Sequence, residues 1–211
     1  VKIDSSNAVQ ILVLIGGLSL IPAILFTVTG FTRILIVLGF IRSALGTSTT
    51  PPNQVLVGIA LFLTLFVMAP TISAIKTDAW EPLEKHQITT ATALTRAEEP
   101  LREFMFRQTG TEDLSLFVSL SHIPTPETRA QVPTYVLIPA FILSELKTAF
   151  QIGFLIFLPF LIIDLIVSST LMSVGMMMLP PTFISLPFKI LLFVLVDGWD
   201  VITRSLVASF H

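Results

Sequence analysis

The sequence contains no cysteine. That excludes a disulfide framework and any thiolate metal site, and it leaves the redox compartment open. Charge is also scarce. Lys, Arg, Asp and Glu make up 12% of the 211 residues, against about 25% in ordinary soluble domains. A chain with half the usual charge cannot clothe a globular surface, so lipid or partner subunits must cover much of it. The net charge of −2 removes the electrostatic case for nucleic acid. Apolar residues are what the chain has in excess: 53% of the sequence, with a mean hydropathy of +0.88. The composition is that of a membrane protein with several apolar segments, and not of a soluble enzyme.

Signatures of enzyme chemistry are missing as well. There is no G-x-x-x-x-G-K-[ST], no H-E-x-x-H and no G-x-S-x-G. His86 and His122 lie in a polar stretch and His211 is terminal. None stands among spaced ligands, so solvated surface histidines are the expectation, with no catalytic residue, metal or cofactor.

The charges that exist are unevenly placed. Of the 12 basic and 14 acidic residues, 15 fall between Lys76 and Arg129. Ser5 to Thr32 carries no charge, nor does Ser43 to Ile75. Each stretch exceeds the ~20 residues that cross the hydrocarbon layer as a helix. The pattern divides the chain into a first hydrophobic hairpin (1–75), a polar helical domain (76–131) and a second hydrophobic hairpin (132–211). The expected fold is all-α: four long, kinked hydrophobic segments forming hairpins, with a small helical polar domain between segments two and three.

Segment one runs from about Val9 to Ile41 and is too long for one straight span, so a break is expected near Pro22 or Gly30. Segment two follows Pro51-Pro52, which suit the turn into a helix, and runs to about Ile75. In the polar domain, Glu98/Arg102 and Glu103/Arg107 are spaced i,i+4 in the favourable order, which predicts a short solvated helix. A second is expected over Leu114 to Leu120. Segment three, about Thr134 to Met172, is interrupted by Pro139, Glu145, Lys147, Pro159 and Asp164. Segment four, about Pro181 to Phe210, contains Pro187, Lys189, Asp197, Asp200 and Arg204. Gly175-Met176-Met177-Met178 and Pro180-Pro181 between them predict an irregular hairpin tip. Trp80 and Trp199 are expected to anchor segment ends at an interface.

The chain begins at Val1, which suggests a removed signal peptide or a truncated start. Arg33 and Arg42 near the first connection, with no acid beside them, place that connection in the cytoplasm by the positive-inside rule. The polar domain and both termini then lie outside.

Ionisable groups inside apolar segments are costly and usually face protein or a water-filled path. Glu145 and Lys147 are i,i+2, so they point to different faces and need partners from elsewhere. If the hairpin tip centres on Met176 and Met177, Asp164 stands opposite Lys189, and the two are expected to pair within one subunit or between neighbours. The alternative is that each reaches the headgroups by itself. A proton relay through Glu145 and Asp164 is a rival use of the same carboxylates. Methionine repacks easily around irregular surfaces. The Met176–Met178 tip is therefore either a packed loop or, if several copies converge on an axis, a deformable seal that blocks ions by dewetting.

The run Pro139-Ala140-Phe141-Ile142-Leu143-Ser144-Glu145-Leu146-Lys147-Thr148-Ala149-Phe150-Gln151-Ile152-Gly153-Phe154 resembles the signature of the FliP family of flagellar export-gate subunits, shared with the SctR subunits of virulence injectisomes. Thr32-Arg33-Ile34-Leu35 through Gly46, continuing to Pro51-Pro52-Asn53-Gln54, is similar as well. So is Pro159-Phe160-Leu161-Ile162-Ile163-Asp164 leading into the methionine triplet. The resemblance covers essentially the whole chain in order. It implies a ring-like helical assembly of five copies joined by FliQ and FliR, with FlhB and FlhA as further partners, in the inner membrane at the flagellar basal body. It implies a pore for unfolded flagellar subunits, closed by a gasket of Met176, Met177 and Met178. It also implies that the hairpins sit largely above the bilayer plane, where Glu145, Lys147, Asp164 and Lys189 would serve as contacts between subunits. An injectisome gate, a proton-coupled transporter and a membrane scaffold without a pore are the alternatives.

Overall fold

Phe31, Ile34, Val37, Leu38, Ile41 and Ala44 recur at the three- and four-residue spacing that puts them on one face of a helix, and each is at most 2% exposed. They form the core stripe of α2 (Phe31–Ala44) in a computed structural model that describes residues 22–47, 49–176 and 179–210. All regular structure among the described residues is helical. In chain order it comprises α1 (Pro22–Val28), α2, α3 (Asn53–Ile75), a π-helical turn (Lys76–Trp80), α4 (Glu81–Glu84), α5 (Thr90–Gln108) and α6 (Thr111–Leu120). A 3-10 turn (Arg129–Gln131), α7 (Thr134–Ser173), α8 (Pro181–Leu195) and α9 (Gly198–Ala208) complete it.

Among the described residues, two helices are long and apolar enough to cross a membrane: Asn53–Glu84, which includes the π-helical turn and α4, and Thr134–Ser173. A third results if α1 and α2 count as one interrupted span. That interruption falls at Thr29 and Gly30. Residue contacts divide the chain into two compact units. Among the described residues, one holds 22–29 and 74–142, and the other holds 30–73 and 143–210.

In the first unit, α5 is capped by Thr89, whose hydroxyl accepts the Thr92 amide at 3.3 Å. That bond satisfies one orphan donor of the first turn. Phe104 and Phe141 meet edge to face at 5.9 Å. Arg102 ties the end of the loop to α5. Its Nη2 donates to the carbonyls of Val132 at 2.7 Å and Arg129 at 3.3 Å, and its Nη1 donates to Thr134 Oγ1. Glu98 accepts from the same Thr134 hydroxyl and lies 4.0 Å from Arg102.

In the second unit, Gly153 lets α7 pass close to α2. A Cβ there would come within 2.4 Å of the Phe40 ring and 3.1 Å of Phe40 Cβ. Phe40 also packs edge to face on Phe150, 5.4 Å between centroids.

Three sequence expectations are corrected here. Pro139 and Pro159 do not interrupt segment three, because α7 is one helix of 40 residues. Each proline removes a single i→i−4 bond, and the bonds of the neighbouring residues carry the helix past it. Segment four is two helices. The break lies at Asp197, in the left-handed region at φ 49, a conformation that Asp tolerates better than most residues. Gly198 follows, where a Cβ would fall 2.4 Å from the Phe193 ring. The break turns Trp199 back onto α8, edge to face with Phe193 at 5.3 Å, so Trp199 packs on protein on one side. Finally, Arg33 is not a loop charge. It lies inside α2 and is 1% exposed. Of the two arginines invoked for orientation, Arg42 alone flanks the connection, where its Nη1 donates to Asn53 Oδ1 at 2.5 Å.

Candidate functional site

Helices α2, α7 and α9 bring one charged cluster together. Arg33, on α2, is flanked by the apolar stripe that fixes the helix face inward. Its Nε donates to Glu145 Oε2 at 3.0 Å, and its Nη2 donates to Glu145 Oε1. The third nitrogen, Nη1, donates to the Ser209 carbonyl at 2.7 Å and to Ser209 Oγ at 3.1 Å. A cation suits this place, because the carbonyls at the end of α9 carry the negative pole of the helix. The Phe210 ring covers the guanidinium at 4.0 Å. Gly30 makes room for that ring, since a Cβ there would lie 2.5 Å from it. Glu145 is 0% exposed, and its carboxylate is met by the planar fork that matches it best.

A second cluster joins α7 and α8. Lys189 Nζ donates to Asp164 Oδ2 at 2.6 Å, and Ser185 Oγ donates to Asp164 Oδ1 at 2.6 Å. Ser185, Lys189 and Phe193 are the buried residues of α8, spaced i, i+4, i+8 along one face. Gly46, at φ 75, brings its turn over the lysine: a Cβ there would be 3.7 Å from Lys189 Nζ. Among the described residues, every buried side-chain nitrogen and oxygen has a hydrogen-bond partner. The cost of burying these charges is thereby contained.

The remaining sequence candidates fall elsewhere. Lys147 is exposed while Glu145 is buried, as their i,i+2 spacing requires. Met176 is 44% exposed at the tip, next to Gly175 at φ 77. Met177 and Met178 lie outside the described residues. Sequence reasoning missed Arg33, Ser185, Ser209 and Phe210. The signal for Ser185 was present, one helical turn before Lys189. Arg33 was masked by its reading as a loop charge.

Outside the candidate spans, Arg204 Nε donates to Asp200 Oδ2 at 2.6 Å. That hydrogen bond holds the Asp200 carboxyl below its usual range. Among the described residues, no group of three or more His, Cys, Asp or Glu side chains could hold a metal ion. An open apolar groove of about 410 Å³ runs between α7 and α8, lined by Ile163, Val167, Ile184 and Phe188 among others. Among the described residues, the arrangement offers packing surfaces held in place by ion pairs.

The family profile described as the FliP family matches residues 14–206. The flagellar biosynthetic protein FliP of Bacillus subtilis strain 168 is 56% identical over 205 residues, spanning 97% of this chain and 93% of that protein. The protein of the same name from Pectobacterium carotovorum is 56% identical over 204 residues, 97% of this chain and 79% of that one. Its namesake from Caulobacter vibrioides is 52% identical over 207 residues, 98% and 78%. With identity above half across nearly its full length, the chain belongs to the FliP family.

Proposed function

We propose that the chain is a pore-forming subunit of the bacterial flagellar type III export gate, which conducts unfolded flagellar subunits across the inner membrane for flagellum assembly. The relatives' shared name, flagellar biosynthetic protein, supports a role in the flagellar apparatus. The finer reading rests on α7. Forty helical residues make a rod of about 60 Å, twice the ~30 Å hydrocarbon layer. Only 11% of its most apolar window is buried, and Phe150, Phe154, Leu155, Ile162, Leu165 and Ile166 are each more than half exposed. Lipid cannot cover the whole of such a rod, so other subunits must cover the excess. Further copies of this chain, five in all, with FliQ and FliR, are the proposed cover. FlhB and FlhA are proposed neighbours.

In this assembly the subunit does no covalent chemistry. The Met176–Met178 tips converge on the axis and seal the channel between substrates. Glu145, Asp164 and Lys189 hold the packing, and the exposed Lys147 contacts a neighbouring subunit. The polar domain and both termini face the periplasm. Glu145 and Asp164 are each held by a cationic side chain, which supports a packing role for both. Native mass determination of the protein purified from membranes tests the proposal. A large complex with two smaller membrane partners is expected; a lone monomer or dimer would overturn it.

A further inference from the structure

The inner face of α9 is narrow. Gly198, Ile202, Leu206 and, in the turn that follows, Phe210 are buried, each four positions after the last. They make a single row, whereas a helix fixed in a core buries a stripe about 100° wide or more. Asp200, Val201, Arg204 and Ser205 are exposed on its other sides. The near end of the row is Gly198, pressed against the Phe193 ring. The far end is held by Arg33, which divides its fork between two tasks. Nε and Nη2 serve Glu145, so the link from α2 to α7 is complete without α9. Nη1 serves the carbonyl and hydroxyl of Ser209, and the Phe210 ring lies 4.0 Å over the guanidinium. That ring fills the space beside Gly30, where a Cβ would lie 2.5 Å from its far edge.

We propose that α9 is a strap, hinged at Asp197 and caught at Ser209 and Phe210, which lifts off Arg33 while α2 and α7 stay joined. The hinge is Asp197 at φ 49 and ψ 58, with no side-chain hydrogen bond to cap the helix it starts. A non-glycine residue stays in this left-handed region only while its surroundings hold it there, so release of α9 lets the hinge relax. Leverage helps as well. Eleven helical residues make an arm of about 16 Å, and a rotation of about 20° at its base moves its far end by about 5–6 Å. That displacement breaks both bonds to Ser209 and withdraws the ring. Trp199, next to the pivot, moves far less and keeps its contact with Phe193. Closed, the strap covers the guanidinium; open, it admits water to Arg33. A peripheral helix held by one row and one catch belongs to the segments that open locally before the core does.

Hydrogen exchange read by mass spectrometry tests the strap on the full chain, purified from membranes in detergent. In the unaltered protein, the amides of 202–208 should exchange together and about tenfold faster than those of 34–44 in α2 and 145–155 in α7. Equal protection of the three helices overturns the proposal. Phe210→Ala and Gly30→Ala disturb the catch from its two sides, and neither alters Arg33 or Glu145. Each should speed exchange in α9 by about a further tenfold and leave α2 and α7 within about twofold. In the double variant the gain should not exceed the larger single one, because the methyl at 30 has lost the ring it displaces. Equal acceleration in all three helices would show that ring and glycine support the core as a whole, and additive gains would show that they act at separate places. Either result overturns the strap.

Discussion

Arg33 and Glu145 are 112 residues apart in the chain, yet the guanidinium of one meets the carboxylate of the other side on, with Arg33 Nε 3.0 Å from Glu145 Oε2. Both side chains are at most 2% exposed. Removing either member takes the counter-charge away from the other in a buried setting. Glu145→Ala and Arg33→Ala are each expected to destabilise the protein by about 3–5 kcal/mol. Replacing both with leucine should cost less than either single change, because no orphaned charge remains. Thermal unfolding in detergent, followed for the three variants, measures the order. A double variant less stable than both singles would show that the pair contributes net stability instead of merely being paired.

The Gly153–Phe40 contact makes a second prediction. A methyl at 153 meets the Phe40 Cβ and ring root as well as its edge, so rotating the ring cannot relieve the clash. Gly153→Ala is expected to cost about 1–3 kcal/mol as overpacking, and Phe40→Ala in the same chain should restore part of it. Gly39→Ala, where nothing lies within 4 Å, should be neutral or stabilising by up to about 1 kcal/mol through helix propensity. The same unfolding assay distinguishes the two glycines.

Charge exchange probes the other cluster. Asp164→Lys and Lys189→Asp should each abolish secretion, and the double exchange should recover some of it. Ser185→Ala removes one donor from the carboxylate and is expected to cost about 1.5–3 kcal/mol, the range for hydrogen bonds to charged groups. Motility on soft agar and protein yield together read function and stability. A double exchange no better than the singles would argue that each charge has separate partners.

The seal at the tip is tested by conductance. Replacing Met176, Met177 and Met178 with alanine removes the flexible apolar bulk that excludes water, so ion leakage through the assembled complex should rise while assembly persists. Unchanged conductance in planar bilayers would sink the gasket role.

Much of this architecture was legible from composition and charge placement, because both are set by bulk solvation. The charge-free run from Ser43 to Ile75 marked α3. The glycine before the methionines marked the turn at Gly175. Counting outward from that tip also placed Asp164 opposite Lys189, since an antiparallel pair of helices keeps a nearly constant sum of positions. Local sequence could not show what depends on distant chain. Arg33 reads as a boundary charge until Glu145, Ser209 and Phe210 are folded around it. Pro139 and Pro159 read as breaks, yet a helix loses one bond per proline and the long apolar rod continues. The break at Asp197 was within reach, because Asp-Gly is a turn-forming pair, but the apolar residues on both sides hid it.

The grip of Ser185 and Lys189 on Asp164 has a consequence for how the second hairpin finds its alignment. Two greasy helices can slide past one another with little change in energy, since one leucine is much like the next. A carboxylate whose two oxygens are taken by donors one turn apart is not indifferent. Slipping α8 by a single turn, about 5.4 Å, would strand a lysine or leave an oxygen bare in apolar surroundings. The cluster thus serves as a vernier mark on an otherwise unmarked scale. It makes one alignment of α7 and α8 correct and so sets where the Met176 tip comes to rest.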